Sequence, residues 1–202
     1  VLHVSESSTI WIVNVYQLVI TMFLLAFASL GDVWGYRKVF YVGVGVFTLA
    51  SAACALSPGL YPLVACRAFQ GIGAAAIMSV NPALLRLIYP EEHLGRGLGM
   101  NALVVAVSTV LGPTLCGAIL SFASWHWLFL INIPVGIAAF LIARKYLPDN
   151  PPAPQKVRFD KVSAVECALI FGLFVSAVDG ISSGGDLWRV VLQLAVVVVV
   201  GY

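Results

Sequence analysis

Arg67 and Gln70 demand the first explanation, because the stretch around them, YPLVACRAFQGIGAAAIMSV, is otherwise hydrocarbon. The chemistry they could do is charge stabilisation, since a guanidinium beside a carboxylate holds it ionised and lowers its proton affinity. Arg67, Gln70, Gly71 and Ala74 follow i, i+3, i+4, i+7 spacing, which places them on one helix face. That face is polar at one turn and small at the next, so it is expected to point into a bundle or a water-filled cavity. An arginine within a bilayer carries a penalty of about 2.5 to 3.5 kcal/mol, which snorkelling relieves only in part. Two explanations stand: a functional charge, or an arginine bonded to neighbouring backbone carbonyls, with glycines permitting close helix approach.

Three further stretches break the hydrocarbon pattern. In STVLGPTLCG, Ser108 to Gly117, Pro113 has no N–H, so the carbonyl of Thr109 loses its helical partner and the helix can bend. Ser108, Gly112 and Cys116 lie four apart and form a small-residue face at that bend. In ASLGDVWGYRKV, Asp32 closes one helix, Gly35 permits a tight turn, and Arg37 and Lys38 precede the next helix. Topological anchoring explains the two cations but not Asp32. In WHWLFLINIPVG, Asn132 and Pro134 combine a polar side chain with a second helix-bending residue.

The remaining polar residues suggest little chemistry. Glu166 and Asp179 fall near the ends of one apolar window and are expected at the interface, not as proton carriers. His93 and His126 lie in turns without partner ligands, so no metal is expected. No Ser/His, His/Glu or Cys/His set converges on one helix face, so an enzyme is not expected.

The elements that position these residues are membrane helices. The chain has 202 residues, 61% hydrophobic and 10% charged, with a mean hydropathy of +1.00, well outside the soluble range. The 11 basic residues leave a net charge of only +2 and form no run, which argues against a nucleic-acid partner. Cys54, Cys66, Cys116 and Cys167 sit in apolar stretches without CxxC spacing and read as small buried hydrophobes. A helix needs about 20 apolar residues to span the bilayer core. Six windows approximate this: Ile10 to Leu30, Val39 to Ser57, Leu60 to Asn81 or as far as Leu87, Leu98 to Ser121, Trp127 to Ala143, and Val162 to Val178. A seventh starts at Val190.

Alternate turns carry the cations Arg37, Lys38, Arg86, Arg96, Arg144, Lys145, Lys156, Arg158 and Lys161, so these turns are expected to be cytoplasmic and the N-terminal end external. Trp11, Trp125, Trp127 and Trp188 fall near the expected outer boundaries, as interfacial anchors do. PDNPPAPQ reads as an extended linker. With no initiator Met or signal peptide, and an end inside VVLQLAVVVVVGY, the chain is expected to be a fragment cut at both ends.

Four motifs together resemble the major facilitator superfamily. LGDVWGYRK is similar to its loop between helices 2 and 3, RAFQGIGAA to its helix-4 motif of form RxxQGxGAA, and GPTLCG to its helix-5 antiporter signature. WHWLFLINIPVG resembles the helix-6 stretch of the fourteen-span drug:H+ antiporters of EmrB/QacA type. The resemblance covers nearly the whole chain, as helices 2 to 7 and part of 8. It implies an all-α, polytopic transmembrane bundle, the incomplete N-terminal half of the fold: residues 1–143 as a bundle lacking its first helix, 144–161 as a cytoplasmic linker, and 162–202 as the seventh helix and a truncated eighth.

By position, the resemblance makes Arg67 with Gln70 the proton-coupling pair, Asp32, Gly35, Arg37 and Lys38 the gating loop, and Gly112, Pro113 and Gly117 the antiporter bend. Asn132 and Pro134 carry the helix-6 motif. Ala28, Val33, Tyr36 and Cys116 depart from the family pattern, and the loop departures imply a weakened latch. The implied function is proton-coupled efflux of amphipathic, often cationic, small molecules across a bacterial inner membrane, with the proton gradient as energy source and no cofactor. The expected partners are substrate, protons and lipid, and the proton-carrying acid is expected in the missing first helix. The alternatives are a metabolite transporter without proton antiport and a non-transporting receptor or scaffold.

Overall fold

The computed structural model describes residues 6–149, with Glu166, Ile170, Gly172, Leu173, Trp188 and Gln193 as isolated positions beyond them. The chain forms α1 (Glu6–Trp34), α2 (Tyr36–Ala55), α3 (Leu60–Ile88), α4 (Leu94–Phe122), α5 (Trp127–Leu130) and α6 (Asn132–Tyr146), with a 3-10 turn at Glu91–His93. No strand occurs among the described residues. Five helical segments there, α5 and α6 together making one, are long and apolar enough to cross a membrane. The architecture is the expected all-α helical bundle. Most of the windows at 162–178 and from 190, most of the 144–161 linker, Cys167 and Asp179 lie outside the described residues.

The helices depart from the hydropathy windows where a single residue sets the boundary. α1 continues past Leu30 to Trp34, because Gly35 makes the turn alone at φ 94°, a conformation that side chains disfavour. Its N–H still donates to the Gly31 carbonyl at 2.9 Å, so Asp32 lies inside the last turn of α1. α3 runs through Pro82 to Ile88, the longer of the two expected ends. α4 likewise passes Pro113 without interruption. Each proline removes one helical N–H, which a membrane helix tolerates.

α3 lies between α1 and α2, and small residues set both contacts. A Cβ on Gly71 would stand 2.9 Å from the Tyr16 carbonyl oxygen of α1, and one on Gly73 would stand 2.5 Å from the Phe47 nitrogen of α2. Opposite sides of one turn of α3 therefore meet two different neighbours at backbone distance, the close approach on which helix association in lipid depends. Next to this seam, Val39, Ala76, Val80 and Leu84 form a buried cluster bordered by Phe27, Leu30, Tyr36, Phe40, Leu87 and Leu147. α6 leans on α2 where Gly136 faces Thr48.

α4 is peripheral: Gly97 is its one buried residue, set against the Tyr89 ring. Asn81 Nδ2 donates to Asn101 Oδ1 at 3.2 Å and ties α4 to α3. Within 6–149, Arg37, Lys38, Arg86, Arg96, Arg144 and Lys145 collect at one end of the bundle, where α1 meets α2, α3 meets α4, and α6 stops. Arg67 alone among the lysines and arginines of this stretch lies elsewhere.

Candidate functional site

Arg67 follows the start of α3 by seven residues, about 10 Å along the axis. Its Nε–H donates to the Ile12 carbonyl of α1 at 3.1 Å, and its Nη1 donates to Gln70 Oε1 at 2.6 Å. Gln70 Nε2 donates to Ser51 Oγ of α2 at 2.7 Å, and the Ser51 hydroxyl donates to the Phe47 carbonyl at 2.7 Å. Gln70 is 1% exposed and Ser51 0%, so this relay is sealed. The guanidinium carbon stands 3.9 Å from the Tyr16 ring centroid and 5.9 Å from that of Phe129 in α5. Among the described residues, no carboxylate pairs with Arg67.

Helix packing dictates this geometry. The bare Cα of Gly71 lets α1 come close enough for the Ile12 carbonyl to reach Arg67, and that of Gly73 brings α2 close enough for Ser51 to reach Gln70. The Arg67, Gln70, Gly71 and Ala74 face points into the bundle as its spacing predicts, with Gln70, Gly71 and Ala74 buried. Bonding to a backbone carbonyl and close glycine approach, the features of the packing explanation, are both present. They do not neutralise the charge, because every hydrogen-bond partner is neutral.

The loop residues form a second cluster, at the basic end. Tyr36 donates its hydroxyl to Asp32 Oδ1 at 2.6 Å, so a residue standing where the resembled motif often has a cation still partners the acid. Arg37 reaches across the bundle: Nε donates to the Tyr41 hydroxyl at 2.8 Å, Nη2 donates to the Arg144 carbonyl at 3.3 Å, and Nη1 pairs with Asp149. Tyr41 donates to the Ala143 carbonyl at 3.2 Å, and its ring lies 5.3 Å from that of Phe140. The Arg144 carbonyl, in the last turn of α6, is thus capped by α2, and the Ala143 carbonyl, which already accepts the Leu147 N–H at 2.9 Å, gains a second donor. Lys38 points outward and is exposed.

The helix-6 motif lies against the end of α4, beyond Gly112, Pro113 and Gly117. A Cβ on Gly112 or Gly117 would meet nothing within 4 Å, so no described neighbour packs the expected small face of α4. Pro134 has no N–H for the Leu130 carbonyl, and the helical pattern breaks at Ile131 between α5 and α6. Asn132 is half-buried there. An apolar cleft of about 390 Å³ lies between the end of α4, at Ile119 and Phe122, and Trp127, Leu130, Ile131 and Pro134 of the helix-6 motif. Phe129 of that same motif borders Arg67, and so links the two regions. Glu166 is helical and exposed. No cluster of three or more potential metal ligands occurs among the described residues.

Sequence reasoning missed Tyr16, Ser51, Tyr41 and Asp149. Ser51 and Tyr16 do carry a signal, as polar atoms inside apolar windows, yet a lone hydroxyl is commonly satisfied by its own helix. Only the crossing of three helices assigns them to Arg67.

Comparison with known proteins agrees with this architecture. The family model described as Major Facilitator Superfamily matches residues 1–202. The uncharacterized transporter YebQ of Escherichia coli K12 is 52% identical over 200 residues, covering 99% of this chain and 44% of YebQ. The riboflavin transporter RibZ of Clostridioides difficile is 33% identical over 78% of this chain and 34% of its own length. The multidrug resistance protein Stp of Mycobacterium tuberculosis is 31% identical over 87% of this chain and 33% of its own length. The chain thus spans less than half the length of these relatives. With a matching family model over its whole length and a bundle of membrane-length helices, the chain belongs to the Major Facilitator Superfamily, a family of transporters and not of enzymes.

Proposed function

We propose that the complete protein is a proton-coupled exporter of amphipathic small molecules in a bacterial inner membrane, of the fourteen-span drug:H+ antiporter type. The observation that carries this reading is Arg67: a cation about 10 Å into the bundle, fixed by hydrogen bonds and left without a carboxylate among the described residues. An acid from the rest of the protein that approaches this guanidinium is stabilised as a carboxylate, and its movement away raises its proton affinity again. Alternation between those two arrangements exchanges a proton for substrate as two bundles rock about a midplane cavity. The basic end faces the cytoplasm by the positive-inside rule, and the Asp32–Tyr36 and Arg37 contacts belong to the gate on that side. Gly112, Pro113 and Gly117 form the bend, and the proton gradient supplies the energy without a cofactor.

The name of the Stp relative supports a drug substrate. That of RibZ supports a second reading, a metabolite carrier built on the same fold. Everted vesicles containing the full-length protein separate the two. Collapse of the proton gradient abolishes uphill ethidium uptake in the first case and leaves downhill riboflavin movement intact in the second.

A further inference from the structure

We propose that Tyr16 and Ser51 are positioning residues that hold Arg67 in a neutral cradle, so that its charge is oriented without being cancelled. This deepens the proton-coupling reading and rests on it. Arginines buried in proteins usually meet carboxylates, and such a pair neutralises itself. Arg67 instead spends its donors on the Ile12 carbonyl and the Gln70 amide oxygen, and lays its cationic plane near the Tyr16 ring at 3.9 Å. Ser51 fixes the orientation of Gln70 by accepting from its amide nitrogen at 2.7 Å, which turns the amide oxygen toward Arg67. The Ser51 proton is committed to the Phe47 carbonyl. That commitment leaves the hydroxyl oxygen as an acceptor and fixes the direction of the whole relay.

The titratable groups facing Arg67 are Tyr16 from α1 and Cys54 from α2, with Cys66 one residue away on α3. α5 contributes only the Phe129 ring. Phenols and thiols are neutral in their ordinary state near pH 7, so none of these groups cancels the guanidinium. A cationic centre stabilised by a π face and carbonyl dipoles keeps its field for an incoming carboxylate. A carboxylate at position 70 would remove that field while keeping the contact.

The test uses the full-length protein in proteoliposomes, with an imposed pH gradient and ethidium, tetraphenylphosphonium and riboflavin as probes. The readout is the pH midpoint of gradient-driven transport. Loss of the Arg67 field raises the proton affinity of the coupled acid, so Arg67→Ala moves the midpoint up by about one unit or more. Gln70→Glu is expected to move it the same way while thermal stability is kept or raised. A residue that only supports packing gives the reverse, with stability altered and the midpoint fixed. Ser51→Ala and Tyr16→Leu are expected to give smaller upward shifts, and Tyr16→Phe, which keeps the ring, to bring the midpoint back.

An unshifted midpoint in Gln70→Glu, Ser51→Ala and Tyr16→Leu, alongside a shifted Arg67→Ala, overturns the cradle and leaves the coupling reading standing. Should Tyr16→Leu fail to reach the membrane, Gln70→Glu and Ser51→Ala decide the matter. An unshifted Arg67→Ala, or a wild type that moves none of the probes against its gradient, overturns both.

Discussion

At the scale of single residues, the polar relay that joins Ser51, Gln70 and Arg67 sets what a substitution does. Ser51 is fully buried, so Ser51→Ala leaves the Gln70 amide nitrogen without its acceptor. A buried unsatisfied donor costs about 1 to 3 kcal/mol, and the expected loss is near the lower figure because hydrogen bonds in membrane bundles are modest. Thermal unfolding of the purified full-length protein in detergent checks this, with Thr21→Ala as the comparison. The Thr21 hydroxyl bonds only carbonyls of its own helix, those of Gln17 and Leu18, so its loss is expected to be nearly neutral. Half of this site was legible in the sequence, since one helical turn separates Arg67 from Gln70 and their spacing dictates a shared face. Tyr16 and Ser51 belong to other helices, and no periodicity within one helix encodes which neighbour it meets.

At the scale of elements, two glycines of the same motif separate the contacts of α3. Gly73→Ala would drive a Cβ to 2.5 Å from the Phe47 nitrogen, and backbone cannot yield as a side-chain tip does. The expected cost is about 1 to 3 kcal/mol, seen as a lower unfolding temperature. Gly45→Ala meets nothing within 4 Å and is expected to be neutral or slightly stabilising, as an alanine favours helix over glycine. Gly35 differs from both, because its constraint is conformational. At φ 94° any side chain is strained, so Gly35→Ala is expected to cost about 1 to 2 kcal/mol. Hydropathy windows located all five described spans, because length and apolarity are what a bilayer selects. Their ends were less legible: hydropathy closes the first window at Leu30, short of the helix end at Trp34, and leaves the end of α3 open between Asn81 and Leu87.

Within the basic end, Arg37 joins α2 to the close of α6 by bonds of unequal worth. Its Asp149 partner is 95% exposed, and such ion pairs contribute at most about 1 kcal/mol. The bond from Arg37 to the Arg144 carbonyl caps a helix end, and the bond from Tyr41 adds a second donor to the Ala143 carbonyl. Asp149→Ala is therefore expected to change the unfolding temperature less than Arg37→Ala does. Equal losses would assign the contact to the ion pair.

For the whole molecule, membership of a transporter superfamily and a bundle of membrane-length helices turn the distribution of charge into a statement about sidedness. The Arg37 end is expected to face the cytoplasm. Lys38→Cys is exposed and should react with a membrane-impermeant maleimide in everted vesicles but not in intact cells, and Gly59→Cys, at the opposite end, should do the reverse. Labelling in the opposite sense would invert the topology and, with it, the gate. The family was legible because its motifs recur at fixed topological positions, whereas no acid among the described residues answers to the one proposed to meet Arg67.

The central claim is that Arg67 couples proton movement to transport. Gradient-driven ethidium uptake into everted vesicles, compared between wild type and Arg67→Ala at equal amounts of membrane-inserted protein, tests it most directly. The account expects wild type to concentrate ethidium and lose that ability when the pH gradient is collapsed, and Arg67→Ala, with the gradient intact, to concentrate it with its pH midpoint moved up by about one unit or more. Uphill uptake by Arg67→Ala at the wild-type rate and with the wild-type pH dependence would contradict it.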